Sequence, residues 1–99
     1  MKLKKLDESL TTLQGQKIMI TREKAMTYRD AFISSCEMHK ATPGEGEAIK
    51  AYHIGMKFIE AKDEVELNDE EIKLLKKVVD SNDSFVTIVV GRLTEYLTN

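Results

Sequence analysis

The 99-residue sequence contains one cysteine, one proline and no tryptophan, and aromatic residues make up 6% of it. A single thiol, Cys36, closes no internal disulfide, which excludes the small secreted scaffolds held together by such bonds and points to a reducing, cytoplasmic setting. With five glycines, one proline and 41% hydrophobic residues, the composition fits neither a collagen-like nor a disordered chain, because there is enough apolar surface to offset the entropy of ordering. Long apolar runs are also missing. The uncharged tract from Ser84 to Gly91 would cross only part of a bilayer core, so no membrane-spanning segment is expected. The opening Met1-Lys2-Leu3-Lys4-Lys5-Leu6 has the basic start of a signal peptide, but Asp7-Glu8-Ser9 stands where an apolar stretch would have to follow, and no export signal is read.

Charge of one sign is lacking as well. Fifteen Lys and Arg against 17 Asp and Glu give a net −2, too near balance for a chain that lives by wrapping phosphate or coating a membrane. The distribution is uneven: residues 1–29 carry seven cations and three anions, and residues 30–99 carry eight and fourteen. The length suits one domain over residues 1–99.

Within that domain, residues 10–21 place apolar and β-branched residues on both sides of Gly15 and read as a β-hairpin. A three-residue loop Gln14-Gly15-Gln16 would set Thr12 against Ile18 and Leu10 against Ile20, gathering Leu10, Ile18 and Ile20 on one face. Thr27 and Asp30 form a capping pair that starts a helix over 27–40, whose stripe is Tyr28, Ala31, Phe32, Ser35, Cys36 and His39. Residues 41–46, with Pro43, Gly44 and Gly46, end it. A second helix over 46–62 shows the period Ala48, Ile49, Tyr52, Met56 and Ile59, with Gly55 either a close-approach position or a tolerated defect.

The alternation Glu64-Val65-Glu66-Leu67 predicts a short third strand near 64–67, paired with the hairpin. Asn68 followed by Asp69, Glu70 and Glu71 starts a helix over 69–80 with Ile72, Leu75, Val78 and Val79 in phase. After the turn cluster 81–84, β propensity favours a strand, but Val86, Val89, Val90, Leu93 and Leu97 share one face only in a helix, over 84–97 and widened by Phe85 and Ile88. The expected fold is therefore α+β and helix-dominant: an N-terminal hairpin packed on about four helices.

Chemistry-bearing motifs are sparse. Cys36 and His39 share a helix face and His53 could join them, but zinc sites ordinarily take four ligands from paired motifs, and no second pair exists. Gly44 and Gly46 precede a helix without the strand or the lysine–hydroxyl ending of a phosphate loop. The acids from Glu60 to Glu71 enclose no glycine and do not follow a calcium loop. No catalytic residue, cofactor site or metal site is assigned, and no enzyme is expected.

The segments Ala51-Tyr52-His53-Ile54-Gly55-Met56-Lys57-Phe58-Ile59, Glu64-Val65-Glu66-Leu67-Asn68-Asp69-Glu70-Glu71-Ile72 and Val89-Val90-Gly91-Arg92-Leu93-Thr94-Glu95-Tyr96-Leu97 resemble small uncharacterised proteins of tailed bacteriophages. The resemblance covers about the last half of the chain and rests on core and capping residues. It implies a viral accessory, regulatory or assembly protein acting in a bacterial cytoplasm, and it transfers no catalytic residue. The expected function is a non-enzymatic protein–protein interaction module binding another protein or a copy of itself, with Tyr28, Phe58, Phe85 and Tyr96 as candidate contact residues. The alternative is nucleic-acid binding by the basic N-terminal surface, through Lys4, Lys5, Lys17, Arg22, Lys24 and Arg29, with Lys2 beside them.

Overall fold

The structure, a computed structural model, describes residues 1–39, 46–82 and 85–98. Its elements in chain order are β1 (Lys2–Lys4), α1 (Tyr28–Glu37), α2 (Glu47–Glu60), β2 (Glu64–Glu66), α3 (Asp69–Asp80) and α4 (Thr87–Thr98). The fold is α+β and helix-dominant, and it begins as the capping signals dictate. The Thr27 side chain accepts from the Asp30 N–H while Asp30 accepts from the Thr27 N–H, and Asn68 and Glu71 do the same at α3. Each reciprocal pair satisfies two of the four amides that a helix start leaves open. The turn residues 41–45, and residues 83 and 84 of the turn cluster, lie outside the described residues.

The strand near 64–67 is present, but its partner is not the hairpin. β2 pairs antiparallel with β1 in the register Lys2 to Glu66, Leu3 to Val65 and Lys4 to Glu64. The period of two explains the choice: Leu3 and Val65 turn into the core while opposite charges face each other across the strands. Backbone bonds between Met1 and Leu67 extend the pairing, and Lys5, at φ 58, turns the chain out of it.

Residues 10–21 reverse at Gly15, whose φ is +86, and Thr11 bridges Lys17. The register is two residues off the expectation. The Ile18 N–H donates to the Leu10 carbonyl, so Leu10 faces Ile18, and Ile20 is exposed rather than on the buried face. The cause is a third pass of the chain: the Met26 N–H donates to the Ile18 carbonyl and the Leu10 N–H to the Met26 carbonyl. Three segments thus close a triangle of backbone bonds, leaving isolated bridges in place of a long ladder.

The core gathers Leu3, Leu6, Leu10, Phe32, Phe58, Leu67, Leu75, Leu93 and Leu97. α1 inserts Ala31, Phe32, Ser35 and Cys36, and α3 inserts Ile72, Leu75, Val78 and Val79. The last segment is a helix, so the 3.6-residue period outweighed β propensity there; Val89, Leu93 and Leu97 are its buried stripe. Val86, expected in that stripe, precedes the helix and is exposed. Arg29 closes the C-terminal end of α2. Its guanidinium donates to the carbonyls of Phe58, Ala61 and Lys62, and its Nε donates to Asp7 Oδ1 at 3.0 Å. Among the described residues, no helix is long and apolar enough to cross a membrane.

Candidate interaction face

α2 buries Ala51, Ile54, Gly55 and Phe58, spaced at i, i+3, i+4 and i+7. This corrects the expected inward stripe, because Ala48, Ile49, Tyr52 and Ile59 lie exposed and Met56 is half-buried. The helix carries two adjoining apolar arcs. Phe58 sets which arc turns in, stacking on Phe32 of α1 at 5.0 Å between ring centroids, and Gly55 removes the obstacle to that approach. A Cβ at Gly55 would stand 3.2 Å from the Cys36 Cβ, so the glycine is a close-approach position. The second arc is left outside, with Ile49 61%, Tyr52 60% and Ile59 53% exposed. No local signal in the sequence marks this arc as outward; only the packing of α1 separates the two.

The four aromatic residues expected at a contact are all wholly or partly covered by the core. Phe58 is fully buried, and Tyr28, Phe85 and Tyr96 are half-buried against the core. Tyr28 and Tyr96 stack at 4.4 Å, Tyr96 also tilts against Phe32, and its hydroxyl donates to the Lys4 carbonyl. These rings join α1, α2 and α4, because large flat side chains stabilise most where they are covered on both faces. Burial pushes the Tyr96 phenol up to about 12, assisted by Tyr28 and Glu8.

The basic N-terminal residues do not form one free surface. Lys2 and Lys4 stand opposite Glu66 and Glu64, Lys24 lies 3.9 Å from Asp30, and Arg29 is spent on Asp7 and the α2 carbonyls. Arg29 is therefore a structural residue, its side chain 16% exposed. Lys5, Lys17 and Arg22 remain exposed, Lys17 in its bridge with Thr11.

On the other flank of α2, a groove of about 680 Å³ runs between α2 and α3, lined by Lys50, His53, Glu70, Lys73 and Lys77 among others. Within its lining, buried Glu47 accepts from Lys77 Nζ at 3.0 Å, and its other oxygen lies 2.6 Å from His39 Nε2. The Lys77 bond, then the His39 bond, hold the Glu47 carboxyl below its ordinary value. Lys57 similarly binds Glu71 at 2.7 Å. Burial alone would raise the Glu71 carboxyl, but Lys57 and the Asn68 amide outweigh it and the net direction is down.

The groove's described lining contains no cysteine, serine or threonine. Cys36 packs against Gly55, and burial pushes its thiol up to about 12, so it is a small apolar side chain rather than a ready nucleophile. His39 is engaged with Glu47, and His53 is exposed with its ring edge-on to Tyr52. Among the described residues, no group of three or more His, Cys, Asp or Glu side chains is placed to hold a metal ion. Comparison with family models, curated proteins and solved structures finds no match to the chain.

Proposed function

We propose that this chain is a non-enzymatic protein–protein interaction module that docks through the outward arc of α2. The reading rests on one observation: Ile49, Tyr52 and Ile59 project from a single helix face, more than half exposed, although the same helix buries a full stripe of its own on the neighbouring side. A helix needs one apolar stripe to fold onto a core; a second one, in water, costs solubility and is retained where a partner covers it. Tyrosine and isoleucine suit such a contact, giving large area for few rotatable bonds. The engaged state of Glu47, the unreactive Cys36 and the dispersed cations are the observations that weigh against turnover chemistry and polyanion binding. In keeping with the resemblance to phage proteins, the role is that of an accessory, regulatory or assembly factor acting in the bacterial cytoplasm.

A photo-crosslinking residue at Tyr52, compared with one at exposed Lys73 on α3, tests this in cells that express the chain. Discrete protein adducts from position 52 and none from position 73 are expected. Equal labelling from both positions, or none from either, overturns the reading.

A further inference from the structure

We infer that the partner covering this face is a second copy of the chain, its α2 packed antiparallel on α2 across a two-fold axis; the inference rests on the interaction-module reading and names its occupant. The exposed Ile49, Tyr52 and Ile59, with half-buried Met56 among them, are spaced three, four and three, which is the seam of a two-helix coil and narrower than the arc of a core-facing helix. Over these residues α2 rises about 15 Å, so the seam occupies nearly three turns.

Turning a second α2 end for end brings Ile49 level with Ile59 of the other copy and Tyr52 level with Met56. Each layer then matches in size: branched aliphatic on branched aliphatic, and a ring on a flexible thioether, a favourable pairing in its own right. A parallel arrangement would instead set Tyr52 against Tyr52 in one layer and Met56 against Met56 in the next, crowding the first and leaving the second loose. The same four side chains thus supply both halves of the contact, as an isologous interface requires.

Charge agrees with this orientation. No charged residue occupies the seam, and the acid on its flank is Glu60, in the last turn of α2. In the antiparallel pair Glu60 comes level with residue 48 of the other copy, beside the first turn of its α2. That turn begins at Gly46, at φ +66, which offers no side-chain cap to the open amides. A carboxylate there meets the positive end of the helix dipole, and the two-fold axis makes the contact twice. The seam is short against a standard interface, so the equilibrium falls in the micromolar range rather than below it.

Sedimentation velocity on the whole chain should show a monomer–dimer equilibrium across micromolar concentrations. Ile59→Lys and Tyr52→Lys should each raise the dissociation constant at least tenfold with an unchanged circular dichroism spectrum, since both positions are exposed, and Glu60→Lys should raise it by a smaller factor. Orientation is read by mixing Ile49→Cys and Ile59→Cys variants under mild oxidation. The mixed pair should form a disulfide faster than either variant alone, with buried Cys36 contributing little. Faster homotypic bonding overturns the antiparallel arrangement. A monomer at every concentration overturns self-pairing, and adducts from position 52 to some other protein would in that case leave the module reading standing.

Discussion

Tyr96 shows how much one side chain can do in a chain with so few rings. It stacks on Tyr28, tilts against Phe32 and donates its hydroxyl to the Lys4 carbonyl, which ties the last helix to the first strand. Its phenol ionises at about 12 against an ordinary 10.0, so the unfolded chain releases this proton first. Stability from this group is complete below pH 10 and drains away as pH climbs toward 12. Absorbance titration should show the Tyr96 phenol ionising late, in step with alkaline unfolding, with the Tyr28 phenol also held up by burial and Glu8. Tyr96→Phe should remove that late ionisation and flatten the alkaline limb, while lowering stability at neutral pH through loss of the bond to Lys4. An alkaline limb unchanged in the variant would refute the assignment. What was legible at this scale was local. Thr27 with Asp30, and Asn68 with Glu71, are cap and partner three residues apart, and such pairs need no knowledge of the rest of the molecule. The tyrosine's own partners lie as far away as Lys4, and nothing near Tyr96 in the sequence names them.

Among the elements, the helices separate those whose facing follows from sequence from the one whose facing does not. α3 has a single apolar stripe with charges all round it, so Ile72, Leu75, Val78 and Val79 could only turn inward. α2 has apolar residues over two adjacent arcs, and periodicity is satisfied by either one. The tie is broken by contacts with α1 that a helix-by-helix reading does not contain. The two helical glycines make the same distinction measurable. At Gly91 in α4 an added Cβ meets nothing within 4 Å, whereas at Gly55 it presses on Cys36. Gly91→Ala should therefore stabilise by about 0.5–1 kcal/mol through helix propensity alone. Gly55→Leu should destabilise by about 1–3 kcal/mol through overpacking against α1. Urea denaturation of both variants checks the pair, and a Gly91→Ala protein less stable than the parent would show that the space beside Gly91 is filled.

For the molecule as a whole, the strands carry the lesson that the helices do not. The hairpin at 10–21 turns at Gly15 as read, but its register slipped because Met26 returns to join Leu10 and Ile18. β2 was placed correctly, yet its mate was sought in that hairpin when residues 2–4 were the match. Pairing information for a strand sits in its partner, and here the partner is more than sixty residues away. Arg29 is the whole-molecule counterpart of Tyr96, bridging Asp7 to the end of α2. Arg29→Ala should leave those carbonyls without their donor and cost about 2 kcal/mol, the scale of hydrogen bonds to a charged group. Thermal unfolding of the variant reads it directly, and an unshifted midpoint would place the guanidinium in water instead. Arg29→Lys should recover little, since one ammonium cannot reproduce a fork aimed at several carbonyls.

The pairing of β1 with β2 also sets an order of events during synthesis. Residues 2–4 have no mate until the stretch around residue 65 emerges, and Thr11 and Thr12 wait longer still for Arg92 of α4, which donates to both of their carbonyls. A nascent chain must therefore carry Leu3 without its strand partner until more than sixty further residues have been made, and the domain can close fully only once α4 is free of the exit tunnel.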